Sequence, residues 1–326
     1  MNNFIKEQID TYNGKKYSIK NDLQPFINNI SYLYIKIIDN KVIANNPPKH
    51  FHNIQYLLER KKDIIKLIKN SIKLNKINNT EIIIKLSDNY EWEFDIPCFN
   101  LIVPKNKQGF IFPNFDFINF NKLGIDYDTL KLKIQNYNPE IIENNIYFKG
   151  RNTTNIKSNI RFMLSQLKYP FSIKITNDIK NGDNLEPIYF IKNHKYLLDL
   201  PGAQPWSVRF KYLCLCERVF IRISFYNSKF EEKDYWKQFS DLYFRENIDY
   251  IHLKYDIDFE KPLSKKLFIK ITKDIENIYN KFEANPHLYK QMVNNLKKSA
   301  EKLSLNNVYD YISKIINSYT KNLLIN

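Results

Sequence analysis

Apolar positions along the chain fall into two rhythms, and their alternation predicts the architecture. Residues 53–76 (NIQYLLERKKDIIKLIKNSIKLNK) carry apolar side chains at helical spacing until Asn78 and Asn79 break the run. The β-branched run TEIIIKLSD, 80–88, ends in polar residues and predicts a buried strand. Residues 127–138 predict a helix with Asp128 or Thr129 as its cap. NNIYFKG, 144–150, predicts a strand ending in glycine, and SNIRFMLSQLK, 158–168, a helix capped by Ser158.

A second unit repeats the alternation. HKYLLDL, 194–200, predicts a strand, PGAQPW a turn, and SVRFKYLCLCE, 207–217, a helix capped by Ser207. RVFIRISF, 218–225, and IDYIHLKY, 248–255, predict two more strands, and from Ser264 onward the pattern is helical. Alternating strands and helices predict an α/β class with mainly parallel sheets. Two units of this size predict two Rossmann-like lobes facing a cleft. Residues 1–50 show little beyond a loop at Pro47 and Pro48.

The chain has 326 residues, 43% of them hydrophobic, enough for about two cored domains and not the composition of a disordered chain. No run of 18 uncharged apolar residues predicts a membrane span, and the start MNNFIKEQIDTYNG has no apolar stretch of the secretory kind. The expected location is therefore the cytoplasm, or a host's cytoplasm for a viral chain. Cys98, Cys214 and Cys216 cannot build a disulfide framework, and no Cys/His set has zinc spacing. Cys214 and Cys216 read as core packing.

The net charge of +15 comes from 50 basic against 35 acidic residues, and 43 of the basic ones are Lys scattered along an Asn- and Ile-rich chain. That dispersion points to coding bias more than to a nucleic-acid stripe. The seven Arg residues behave differently: all but Arg60 lie between 151 and 245. Arg offers a planar fork to phosphate oxygens that Lys lacks, so the cluster fits an anion site. A chance cluster fits the same fact.

Only six glycines occur, and Gly150 and Gly202 stand at predicted strand ends. At Gly202 a strand, a tight turn and a Ser-capped helix bring backbone N–H groups, the Ser207 hydroxyl and the Arg209 guanidinium to one sheet edge, an arrangement that receives anions. An ordinary N-cap beside a surface Arg is the alternative. FKGRNTTNIKSNIRFML similarly sets Thr153, Thr154 and Arg161 where they can face a diphosphate, or forms a polar loop before a capped helix. Asp88, at the polar end of the run 80–88 and just past its buried strand, occupies a place where α/β proteins keep a catalytic base, with Asp95 as a rival and a turn-capping Asp as the plain alternative. DYD at 126–128 and DID at 256–258 match a short metal-binding pattern common by chance. No Walker loop, GxSxG or full GxGxxG is present, which weighs against NTP hydrolysis, acyl transfer and dinucleotide oxidoreduction.

In this order and spacing these segments resemble glycosyltransferase family 90, which holds protein O-glucosyltransferases and fungal capsule xylosyltransferases. The strongest stretch is HKYLLDLPGAQPWSVRFKYLCLCERVFIRI, 194–223, where Ser207, Arg209, Lys211 and Leu213 match the family's S-x-R-x-K-x-L. FKGRNTTNIKSNIRFML is similar to its FRG…T…R segment, with Lys149 where arginine is usual. DYIHLKYDIDF, 249–259, aligns Tyr250 and Asp256 with another segment, and LSDNYEWEFDIPCF, 86–99, resembles the one that carries the general base.

The resemblance implies a GT-B fold. An acceptor-side lobe would span 1–143, a nucleotide-sugar lobe 144–297, and a final helix, 298–326, would pack back on the first lobe. It implies inverting transfer of glucose or xylose from UDP-glucose or UDP-xylose to a glycan or protein hydroxyl. Asp88 would act as base. Gly150, Thr153, Thr154, Arg161, Gly202, Ser207 and Arg209 would line the donor site, with no metal, no nucleic acid and no membrane span. Two other readings compete: a basic nucleic-acid-binding protein using some of the 23 Tyr and 23 Phe, and a degenerate glycosyltransferase serving as an interaction module.

Overall fold

The computed structural model describes residues 1–18, 22, 31–45, 55–86, 97–104, 109–120, 124–151, 158–175, 188–202, 207, 209–230 and 236–324. Its elements begin with α1 (Asn2–Asp10), β1 (Tyr32–Ile38), β2 (Lys41–Ala44), α2 (Gln55–Leu74), β3 (Thr80–Lys85), β4 (Phe99–Asn100), β5 (Ile102–Pro104), β6 (Phe110–Ile111) and α3 (Tyr127–Asn136). They continue with β7 (Glu143–Gly150), α4 (Ile160–Ser165), β8 (Phe171–Ile175), β9 (His194–Asp199), α5 (Phe210–Leu213), β10 (Val219–Tyr226) and β11 (Trp236–Gln238). β12 (Ile251–Asp256), α6 (Lys265–Glu283), α7 (Pro286–Glu301) and α8 (Leu305–Leu323) complete the order. The class is mixed α/β with parallel strand pairing in both larger sheets.

Two compact units divide the chain. The first holds residues 1–128, 237–242 and 303–326, and the second 129–236 and 243–302. The boundaries that the resemblance implies lie elsewhere, at 143/144 and 297/298.

The first unit's sheet has the order β2-β1-β3-β4-β6. β1 runs antiparallel to both β2 and β3, and only β3-β4-β6 are parallel. This departs from the Rossmann-like expectation for this half. The reason is local: Asp39 and Asn40 both take positive φ, +48° and +62°, between β1 and β2. Two left-handed residues make the turn whose twist suits a tight hairpin, and Asp and Asn tolerate that conformation best after glycine. α8 completes this core. Tyr319 packs edge-on to Phe99 and Phe110 at 5.2 and 5.6 Å between ring centroids. The Tyr311 hydroxyl donates to the Ile111 carbonyl at 2.8 Å. The start of α8 is closed by Ser304 Oγ, which accepts from Asn307 N, and by the Asp128 carboxylate, which accepts from Leu305 N. Asp128 thus caps α8 across the fold.

The second unit's sheet, β12-β10-β9-β7-β8, is parallel throughout. β10 is buried along nearly its whole length, as a central strand covered on both faces must be. Two predicted helices beside it are shorter than their apolar patterns. The run 207–217 yields only the four-residue α5, followed by i→i−3 turns at Leu215 and Cys216 and a left-handed Glu217 at φ +52°. Residues 210–216 are all buried, so no solvent face exists to sustain an amphipathic helix, and the chain unwinds to feed β10. The run 158–168 yields the six-residue α4, entered through Asn159 at φ +51°. Ser158 does not cap it, and its buried hydroxyl makes no hydrogen bond among the described residues. The strand predicted over 248–255 begins at Ile251, because buried Asp249 is held in a turn in which its carboxylate accepts from Arg245 N at 2.8 Å. Among the described residues, no helix is long and apolar enough to cross a membrane.

Candidate functional site

Numbered by their order in the second unit, its strands lie 2-1-3-4-5 across the sheet. The reversal of order falls between β7 and β9, and in open α/β sheets ligands bind outside the carboxyl ends at such a point. β7 ends at Gly150 and β9 at Asp199.

Arginines from three elements gather there. Arg161, from α4, lies over the Phe148 ring with its guanidinium carbon 5.1 Å from the ring centroid. Arg209, immediately before α5, lies over the same ring at 4.4 Å. Both are held by main chain: Arg161 donates to the Arg151 carbonyl at 2.6 Å and to Leu200 at 3.3 Å, and Arg209 donates to the Lys149 carbonyl. Arg222 comes from the middle of β10 and lies over the Phe210 ring at 4.2 Å. Phe210 packs in turn on Tyr250 and Phe220.

Asp199 faces these groups. It is fully buried, and across the sheet it is the register partner of Arg222. Among the described residues neither carboxylate oxygen has a hydrogen bond of good geometry. Burial pushes its carboxyl above the usual carboxylate range, while Arg222, the Ser207 hydroxyl, Arg209 and Arg161 pull the other way. Burial also draws Arg161 down to about 10, helped by the like charge of Arg209 and opposed by Asp199. Burial draws Arg209 down as well, again against Asp199. Three guanidinium groups against one carboxylate leave a local surplus of positive charge in a poorly solvated place. Such a surplus favours an anion with several oxygens.

Gly150 explains how Arg209 reaches its position. A Cβ there would stand 3.0 Å from Arg209 Nη2 and 3.0 Å from Phe148 Cζ, nearer than ordinary contact on both sides. Ser207 accepts from the Arg209 backbone N–H at 3.2 Å, so it orders Arg209 and does not cap a long helix. The expected helix N-terminus is absent, because α5 is a single turn with Arg209 itself at its cap position. What the site offers an anion is guanidinium groups, and the helix-dipole part of the expectation falls away.

The structure therefore brings Gly150, Arg161, Ser207 and Arg209 together. Gly202 follows two residues after Leu200, whose carbonyl receives Arg161. Thr153, Thr154, Asp88 and Asp95 lie outside the described residues. Lys211 and Tyr250, matched in the resemblance, are buried. Asp256, also matched, accepts from Ser228 N and Oγ at 3.0 and 2.5 Å, and Asp258 pairs with Lys229 at 2.8 Å, so both acids of the DID motif hold a turn.

Sequence reasoning missed Asp199 and Arg222. Each carried a signal: an acid at the carboxyl end of the apolar run KYLLDL, and one charge inside VFIRISF. A buried charge in a central strand needs a partner, so the two point to each other. No family model matches the chain, and no curated protein matches it.

Proposed function

We propose that this chain is an inverting glycosyltransferase that moves glucose or xylose from a UDP-sugar to an acceptor hydroxyl. The second unit binds the donor, with Arg161, Arg209 and Ser207 on the diphosphate. The observation that carries this is the pair of guanidinium groups over Phe148 at the reversal point of a parallel sheet. The resemblance to glycosyltransferase family 90 rests on the same residues and supplies the reaction. As the bond to the anomeric carbon breaks, negative charge grows on the leaving diphosphate. Fixed positive groups in a dry site stabilise that charge without having to reorient. Asp88 takes the proton from the attacking hydroxyl, a role that needs a carboxylate within hydrogen-bond reach. The two units act as the lobes of a GT-B enzyme, and the donor sites Thr153, Thr154, Gly150 and Gly202 complete the diphosphate loop set.

Thermal unfolding in UDP and UDP-glucose tests donor binding, because a ligand of the native state alone raises the midpoint. At one hundred times Kd the native state gains about 2.7 kcal/mol. An unchanged midpoint at saturating concentrations refutes the donor site. Asp88→Asn is expected to keep UDP binding and lose transfer, and an active Asp88→Asn protein moves the base to Asp95.

A further inference from the structure

One helix of the first unit draws dispersed lysines into a line. In α2, Lys62, Lys66, Lys69 and Lys73 follow one another at steps of four, three and four residues, and Lys76 stands just past the helix end. At about 100° per residue the four helical ones fall within a sector of roughly 60°, and at about 1.5 Å of rise per residue they span about 16 Å. All five are exposed, and from 62 to 76 the other exposed position is Leu74, about a third of a turn away from the line. Leu57, Ile64, Leu67, Ile68 and Ser71 are buried on the opposite side.

Tertiary contacts fix which way this line faces. Asn70 donates to the Tyr309 hydroxyl at 3.1 Å, and Ser313 of α8 donates to the Ser71 carbonyl at 3.3 Å, so α2 is held against α8 with the lysines turned outward. The acids of the helix do not neutralise them. Glu59 and Asp63 are half-buried on its flank and accept from Gln55 at 3.4 Å and from Asn119 at 3.3 Å. Lys62 and Lys66 act on the Asp63 carboxylate from beyond ion-pair contact. Among the described residues none of the five lysines forms an ion pair, whereas Lys270 pairs with Asp274 at 2.9 Å and Lys314 with Asp310 at 2.7 Å on other helices. Coding bias enriches Asn as well as Lys, yet no exposed position between 62 and 76 is Asn.

We propose that this face of α2 docks the first unit on a membrane surface that carries anionic headgroups. The line is straight and stands on the convex side of a helix, so its ammonium groups reach a flat surface together. Its steps alternate between about 6 and 4.5 Å of rise, a spacing that headgroups diffusing in a bilayer can follow and a fixed row of nucleic-acid phosphates does not. It holds no aromatic ring for base stacking and no guanidinium for a planar phosphate contact. The one Arg of α2, Arg60, is engaged by the protein: it donates to the Leu86 carbonyl at 2.7 Å and lies over the Phe115 ring at 4.8 Å. No apolar side chain stands in the line, so the contact is electrostatic, reversible and screened by salt. The proposal stands apart from the proposed donor site, whose residues belong to the second unit.

The test is flotation of the full chain with vesicles of phosphatidylcholine containing about one-third phosphatidylserine, beside vesicles of phosphatidylcholine alone. Each lysine near an anionic surface raises binding about fivefold. The quadruple variant Lys62→Gln, Lys66→Gln, Lys69→Gln, Lys73→Gln is therefore expected to lose about two orders of magnitude or more in partition. Gln matches Lys in helix propensity, and exposed positions leave the core untouched. A control variant changes Lys265, Lys266, Lys273 and Lys281 of α6, all exposed, to Gln. It loses the same net charge and is expected to bind within a few-fold of the wild type. Raising salt from about 0.1 M to about 1 M shortens the screening length from about 10 to about 3 Å and is expected to release the wild type. Failure of the wild type to bind anionic vesicles, or equal binding to neutral ones, overturns the proposal whatever the variants do. An equal loss in the two variants also overturns it, because binding then follows net charge and not this face. Duplex DNA or RNA binding that the α2 variant loses, in a wild type indifferent to vesicles, gives the face to nucleic acid and overturns the lipid proposal.

Discussion

Adding one methyl group at Gly150 tests the arginine cluster at its tightest point. In Gly150→Ala the new carbon would lie 3.0 Å from Arg209 Nη2 and 3.0 Å from the edge of Phe148. Ordinary contact begins near 3.4 Å, so about half an ångström must be found on each side. The Phe148 ring is buried and supports both guanidinium groups, whereas Arg209 Nη2 is the end of a flexible side chain, so Arg209 yields first. Its movement breaks the bond to the Lys149 carbonyl. Hydrogen bonds to charged groups are worth about 1.5–3 kcal/mol. Restricting the unfolded chain by a Gly→Ala change returns about 0.4–1 kcal/mol. The expected net loss of stability is therefore about 0.5–2.5 kcal/mol, read as a lower urea midpoint at constant slope. On the proposed donor reading UDP binding suffers separately, since the displaced guanidinium would no longer meet the diphosphate. One lost charge-assisted contact of about 1.5–3 kcal/mol weakens UDP roughly 10- to 150-fold. A Gly150→Ala protein with unchanged UDP affinity would show that Arg209 does not need the bare strand end, and the close-approach reasoning would be wrong.

Two further outcomes follow from buried groups. The Tyr319 hydroxyl is buried in α8 with no hydrogen bond among the described residues, so Tyr319→Phe is expected to leave stability unchanged or raise it by up to about 1 kcal/mol, and a loss above about 1 kcal/mol in urea unfolding contradicts that placement. Asp199 has a folded-state acidity weakened by burial, so the folded state holds its proton to higher pH than the unfolded state does. That stabilising share is fully present below about pH 4, the ordinary carboxylate value, and is lost as pH rises through the raised folded value. Asp199→Asn is therefore expected to gain stability relative to wild type as pH climbs from about 4. A flat difference between the two unfolding curves over pH 4–7 refutes the assignment.

The parts of the fold that were legible in the amino-acid order are those with local causes. β3, β7, β9 and β10 follow from β-branched and aromatic runs, and α2 from the helical spacing of Leu57, Ile64, Leu67 and Ile68 on one buried face. The helical pattern from Ser264 onward was legible as a whole; its division into α6, α7 and α8 was not, and in the structure Ser264 and Asn285 accept from Leu267 N and Leu288 N as caps. The hairpin β1–β2 was not legible, although Asp39 and Asn40 were visible: burial alternates along both strands, but the residue types of YLYIKII and KVIA are apolar at inner and outer positions alike and do not display that alternation.

The site divides in the same way. Scarce glycine and concentrated arginine marked Gly150, Arg161 and Arg209 by residue type, and Ser207 was marked by its predicted cap position. Their meeting is a property of the parallel sheet, whose strand order 2-1-3-4-5 sets the ends of β7 and β9 side by side. The pairing of Asp199 with Arg222 is further from view, because cross-strand register joins residues 23 positions apart and no local pattern encodes register. The length of α5 was likewise decided by tertiary burial: a segment with every side chain inside has no face to offer water, and hydrophobic period alone cannot tell how many turns the core will accept.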